Sequence, residues 1–200
     1  MCFYFHLSAS AQELKNRFHA TFPEGEKLKP AYFNGFQNPE TPVITNKETN
    51  TIQWFNWGLI PYWAKDKTIQ KNTLNARIET IQEKVSFKSS INKRCIIPAN
   101  GFWEWQWLDE KGRNKQKYEI KLIDKQLFAF AGLWSEWTDK ATGEQINTYT
   151  ILTTQANKLL SEIHNSKKRM PVILSKENET NWLLGAPPLL LNEELIAEKI

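Results

Sequence analysis

Along its first seven residues the chain alternates, with Phe3, Phe5 and Leu7 on one side of an extended backbone and Cys2, Tyr4 and His6 on the other. A period of two predicts a half-buried strand beginning at the terminus itself. The pattern then changes: Ser10 and Glu13 have the spacing of a capping box, so a helix should open there and run to about His19. Pro23, Gly25 and Pro30 predict a loop. Period-two runs rich in β-branched and aromatic residues predict strands at 42–45, 51–60, 94–98, 100–107, 116–123, 127–134 and 146–153. Turn-forming stretches such as Asp109–Gly112 and Lys140–Gly143 separate them. Helical spacing predicts a short helix near 79–85 and another from Thr154 to His164, with Leu159, Leu160 and Ile163 on one side. A strand at 171–174 and helices near 176–184 and 192–199 finish the chain. No repeat or low-complexity linker interrupts it. The expectation is one α+β domain over residues 1–200, built on a curled, largely antiparallel sheet or barrel with flanking helices.

Composition alters this picture in only a few places. Two hundred residues suffice for one domain with a sizeable core. Lys and Arg exceed Asp and Glu by enough to give a net charge of +4, which is compatible with a polyanionic partner and does not demand one. Nine Trp and eleven Phe furnish rings for a core, and flat rings are also what a site for stacked bases requires. Two cysteines without framework spacing argue against a disulfide-stapled secreted protein. The start, Met1 to His6, lacks the basic and apolar regions of a signal peptide, and no apolar run approaches the ~20 residues needed to cross a bilayer. A cytoplasmic protein without membrane contact is expected. No metal-ligand spacing and no Gly-rich phosphate loop stands out, so no cofactor or metal is expected.

Four segments carry candidate chemistry. The first is Cys2: removal of Met1 would leave a free α-amine and a thiol on one residue, a 1,2-aminothiol. Its amine forms an imine with an aldehyde and its sulfur then closes a five-membered ring, an intramolecular step. The plain reading is a small residue at the start of an edge strand. The second is Glu104, inside the alternating run Gly101–Trp107, where three Trp share the opposite face. A carboxyl hemmed in by large rings has a raised pKa and suits a general acid, although a solvated strand Glu is the commoner case. Third, Asn75 and Arg77 point to one side if extended; they offer an amide for a sugar or amine and a guanidinium for phosphate, or simply a loop Asn beside a surface Arg paired with Glu79. Fourth, His164 precedes Lys167, Lys168 and Arg169, which reads either as a helix cap before a solvated loop or as a proton shuttle beside a phosphate contact. His6 and His19 lack comparable company and read as structural, as does Cys95 within an apolar strand.

In chain order, Met1-Cys2, Trp57–Trp63, Leu74–Thr80, Pro98–Trp105, Phe130–Trp134 and Ile163–Pro171 together resemble the SOS-response-associated peptidase (SRAP) family of abasic-site-processing proteins. The ordered set spans roughly residues 1–185. The resemblance implies that Cys2, freed of Met1, captures the ring-opened deoxyribose of an abasic site in single-stranded DNA as a thiazolidine, protecting the lesion during repair. It implies acid–base roles for Glu104 and His164, sugar or amine contact by Asn75, phosphate contact by Arg77, and aromatic support by Trp63 and Trp105. Autopeptidase and β-lyase activities, a monomeric state and association with the nucleoid during DNA damage also follow from it.

Three departures accompany the match. Phe3 and Tyr4 stand where many members have Gly-Arg, Tyr32–Phe36 replaces a Tyr-Asn-hydrophobic-Ala-Pro motif, and Ala64 follows Trp63 where a second Trp is frequent. A divergent grip on the strand is the expectation. Two other readings compete: a class II glutamine amidotransferase, which also uses an N-terminal cysteine, and a non-catalytic β-barrel module that stacks single-stranded nucleic acid.

Overall fold

The computed structural model describes residues 2–25, 28–124, 126–191 and 195–200. In chain order its elements are β1 (Tyr4–Leu7), α1 (Ala11–Phe18), β2 (Ala31–Asn34), β3 (Glu40–Thr45), β4 (Ile52–Trp57) and β5 (Asn75–Arg77). Next come α2 (Val85–Lys88), β6 (Arg94–Ala99), β7 (Gly101–Trp107), β8 (Lys115–Leu122), β9 (Phe128–Thr138) and β10 (Gln145–Gln155). The chain ends with α3 (Lys158–Ile163), β11 (Arg169–Pro171), β12 (Ile173–Leu174), α4 (Lys176–Leu183) and β13 (Leu195–Lys199).

Five strands close on themselves in the order β10-β4-β3-β6-β9 and back to β10. Closure depends on one parallel junction, where Thr148 and Tyr149 of β10 lie beside Asn56 and Trp57 of β4. The barrel leaves no free edge around its ring. Gly132 lets β9 approach β10, since a Cβ there would sit 2.8 Å from the Thr150 carbonyl oxygen. A second sheet, ordered β13-β8-β7-β1-β2, lies against the barrel. Its inner face contributes Phe5 and Phe102, whose rings meet Phe130 of β9 at 5.8 Å each, and Phe5 also meets Trp57 at 5.2 Å. All four rings are fully buried, which ties the two sheets into one core. Among the described residues no helix is long and apolar enough to cross a membrane.

The α+β class, the antiparallel strands and the curled barrel agree with the sequence reading. The α1 helix follows its local code closely: Ser10 caps it, the Ser10–Glu13 box is complete in both directions, and His19 ends it in the left-handed conformation. Three predicted helices need correction. Residues 154 and 155 continue β10 because Gln155 pairs with Arg169 of β11, so the helix starts only at Lys158, capped by the Asn157 side chain. The segment 79–83 is a series of turns, and the helix lies at Val85–Lys88. The predicted helix at 192–199 is β13 over Leu195–Lys199, drawn into the sheet by pairing with β8; residues 192–194 lie outside the described part. The predicted strand at 171–174 is two short strands, β11 and β12, and β2 was not foreseen.

Candidate active site

Cys2 precedes β1 and is fully buried, its thiol directed at the Tyr4 carbonyl 3.6 Å away. Its own carbonyl oxygen accepts a hydrogen bond from Asn75 Nδ2 at 2.8 Å. That contact has a tertiary cause. The three-residue β5 runs parallel to the C-terminal half of β10, with Asn75 opposite Ile151, and Trp57 Nε1 donates to the Leu74 carbonyl at 2.8 Å just before it. The Asn75 side chain is thereby aimed at the chain start, and its Oδ1 is buried without a hydrogen-bond partner among the described residues.

Glu104 arrives from β7. Alternation turns Phe102 and Glu104 inward, and Glu104 is only 3 % exposed. Burial pushes its carboxyl up to about 7, against the opposing pull of the positive amino terminus. Burial also pushes the Cys2 thiol far up, and the nearby Glu104 charge adds to that rise, so these two groups interact electrostatically. A thiol so placed stays protonated at neutral pH.

His164 ends α3 and places Nε2 4.0 Å from Glu104 Oε2. Its Nδ1 accepts the backbone N–H of Arg169 at 3.1 Å. With Nδ1 an acceptor, the neutral ring carries its proton on Nε2, the nitrogen that faces Glu104. Burial, and then the positive amino terminus, lower the imidazole to about 4. At neutral pH the pair is therefore a neutral donor beside a carboxyl near its midpoint. The loop after α3 is pinned to the end of β7 by Asn165, which accepts from the Trp107 N–H at 3.0 Å and donates to the Trp107 carbonyl at 2.9 Å. Gln106 Nε2 adds a bond to the Glu162 carbonyl at 3.1 Å.

A cleft of about 540 Å³ opens onto Glu104 and His164 and is lined also by Phe3, Tyr4, Phe36, Trp105 and Lys167. The structure thus gathers Cys2, Asn75, Glu104 and His164, with Trp105 and Lys167 at the rim. Lys168 is exposed on the same loop in a left-handed conformation, and Arg77 is exposed on β5. Trp63, 42 % exposed, sits in the turn after β4 and is not part of the cleft wall. Arg169 behaves differently from the two lysines. It is buried, grips both Glu79 oxygens at 2.8 Å and donates to the Thr153 carbonyl at 2.8 Å. Its guanidinium is occupied within the fold, which corrects the view of three solvated cations and of a Glu79 paired with Arg77. His6 lies 2.8 Å from Glu119, as befits a structural residue. Among the described residues no cluster suits a metal ion.

Sequence reasoning missed Asn165 and Glu79 as supports, and Phe3, Tyr4 and Phe36 as walls. Proximity in the chain could have flagged Asn165 beside His164 and Phe3 and Tyr4 beside Cys2, whereas Glu79 and Phe36 reach the site only through contacts between distant segments.

The family pattern described as SOS response associated peptidase (SRAP) matches residues 1–195. The chain is 42 % identical over 186 residues to the abasic site processing protein YoqW of Bacillus subtilis, covering 92 % of this chain and 80 % of that protein. It is 35 % identical over 198 residues to the abasic site processing protein HMCES of Pongo abelii, covering 79 % of this chain and 54 % of that one. A crystal structure of a Bacteroides thetaiotaomicron protein superposes with a TM-score of 0.86 at 37 % identity, covering 100 % of this chain and 92 % of the other.

Proposed function

The chain belongs to the SOS response associated peptidase (SRAP) family, and on that premise we propose that it processes abasic sites in single-stranded DNA by covalent capture on Cys2. The strongest support is the convergence of Cys2, Asn75, Glu104 and His164 from four separate segments on one enclosed place. The names of the relatives supply the substrate class.

Loss of Met1, by self-cleavage or by an aminopeptidase, turns the Cys2 nitrogen into an amine. Asn75 holds the adjoining carbonyl and so fixes where that amine points. The abasic sugar is a cyclic hemiacetal, and moving the proton of its C1′ hydroxyl to the ring oxygen opens it to an aldehyde. The Cys2 amine adds to C1′, giving a carbinolamine. Protonated Glu104 gives its proton to the departing hydroxyl, which leaves as water, and an iminium remains. The Cys2 sulfur then bonds to C1′ while its proton passes to the Glu104 carboxylate. Aldehyde and aminothiol become thiazolidine and water, and Glu104 ends in the state in which it began. A thiol held protonated by burial makes the nitrogen the first nucleophile and the sulfur the second. Neutral His164 keeps an Nε2 proton for the sugar oxygens and for Glu104. Until the ring closes, the iminium is also open to loss of a C2′ proton and elimination of the 3′ phosphate, which is the β-lyase branch.

Protein whose intact mass lacks Met1 should form a denaturant-resistant band with an abasic single strand and none with the intact strand. Cys2→Ala should lose that band yet yield one when borohydride reduces its imine. Absence of any adduct with fully processed protein overturns the reading. A glutamine amidotransferase would instead lose glutaminase activity with Cys2→Ala, and a passive binding module would be indifferent to it.

A further inference from the structure

The three Trp of β7 that alternate with Glu104 face away from the core, onto the outer side of the five-stranded sheet. From the cleft a row of rings crosses that side, bridged between Trp105 and Trp103 by one ammonium. Tyr4 on β1 meets Trp105 edge-on at 5.0 Å. The Lys117 ammonium on β8 lies 6.0 Å from the Trp105 ring and 4.6 Å from the Trp103 ring. Tyr32 of β2 then stacks on Trp103 at 5.3 Å and 29°. Pairing explains the alignment, since Lys117 is opposite Trp105 and Tyr32 is opposite His6.

Exposure differs sharply along this row: Trp103 is 8 % exposed and Tyr32 is 78 % exposed. A tyrosine whose role was packing would not leave most of its surface in water. Held from behind by an indole, its ring is oriented in advance and presents one open face, so a second flat ring could stack there at little entropic cost. Lys117 adds a cation within reach of the same position, and Lys115 repeats the arrangement 5.4 Å from Trp107 at the cleft.

We propose that this outer sheet face is a stacking platform for unpaired bases flanking the lesion, with Tyr32 as its open ring and Lys117 as its phosphate contact. The proposal rests on the preceding reading for what fills the cleft. Open π-faces beside cations suit a polyanion whose bases are free, and a duplex, whose bases already stack on one another, cannot offer them. The platform is continuous with the cleft through Tyr4 and Trp105, so it gives a path for the strand beyond the captured sugar.

The test compares abasic strands of equal length with natural flanks and with tetrahydrofuran-spacer flanks, which retain phosphates, lack bases and form no aldehyde. The readout is the strand concentration giving half-maximal adduct rate. Wild type should need roughly tenfold less of the strand with bases; Tyr32→Ala should bring that ratio close to one, and Tyr32→Phe should restore it. Equal use of both strands by wild type overturns the platform, as does an unchanged ratio in Tyr32→Ala. Conversion of a dimer to a monomer by Tyr32→Ala would also overturn it, by making the face a contact between copies of the chain. If no strand yields an adduct, the reading of the cleft fails on its own. Quenching of Trp fluorescence by an intact strand, lost with the spacer strand and in Tyr32→Ala, would still support the platform, and its absence would overturn it.

Discussion

His164 Nδ1 receives the Arg169 backbone N–H at 3.1 Å, and this single bond assigns the imidazole proton to the nitrogen that faces Glu104. The Arg169 backbone is itself held through its side chain, which grips Glu79 two residues beyond β5. The strand that positions Asn75 and the loop that positions His164 are therefore joined by one ion pair.

Glu79→Ala should loosen both. It removes the partner of a buried guanidinium, but Glu79 is itself 44 % exposed, so the cost is expected at about 2 kcal/mol after solvent screening. Urea denaturation measures it. The capture rate should fall together with stability, and Glu79→Gln, which keeps one acceptor, should recover part of each.

For Glu104→Gln, proton transfer is lost while shape is retained. Adduct formation should slow by about 100-fold or more, with little change in affinity for the strand. Single-turnover kinetics against binding separates the two; equal losses would indicate a positioning role only.

The same substitution has a pH signature in stability. Glu104 is raised from 4.5 to about 7, so its stabilising contribution is complete below its unfolded pKa and is lost as pH rises through about 7. Glu104→Gln carries no such loss. Relative to wild type it should gain on the order of 3 kcal/mol between pH 4 and pH 9, seen in paired thermal melts. His164, lowered from 6.5 to about 4, acts in the opposite sense: its contribution is present above 6.5 and fades as pH falls through 4. His164→Gln should therefore flatten the acid limb.

Asn75→Ala removes the 2.8 Å bond to the Cys2 carbonyl. A loss of about 1 kcal/mol in stability is expected, with a larger proportional fall in capture rate, because the amine is no longer oriented. If the rate drops no further than folding stability explains, Asn75 has no part in orienting the terminus.

Arg77 is exposed at the end of β5. Arg77→Ala should weaken binding of any single strand and reduce the slope of log affinity against log salt by about 0.7. An unchanged slope removes Arg77 from phosphate contact.

What the linear chain carries unaided is whatever its neighbours within a few residues decide. The Ser10–Glu13 box and the left-handed His19 close α1 through bonds inside one segment, and the alternation of 101–107 sets three Trp against Phe102 and Glu104 with no outside help. The suspicion about Cys2 also needs only its position. Long-range pairing decided the rest. Apolar spacing favoured helix at 154–155 and 195–199, yet β11 and β8 offered those backbones partners, and ladder bonds across a sheet outweighed local preference. The candidate site is the clearest case of that second kind. Asn75 reaches Cys2 across 73 positions and His164 faces Glu104 across 60 only because β10 carries β5 and β11 on its far half while β7 lies beneath α3. The raised carboxyl and the lowered imidazole have the same origin: a residue's type sets its ordinary pKa, but its burial belongs to the whole fold.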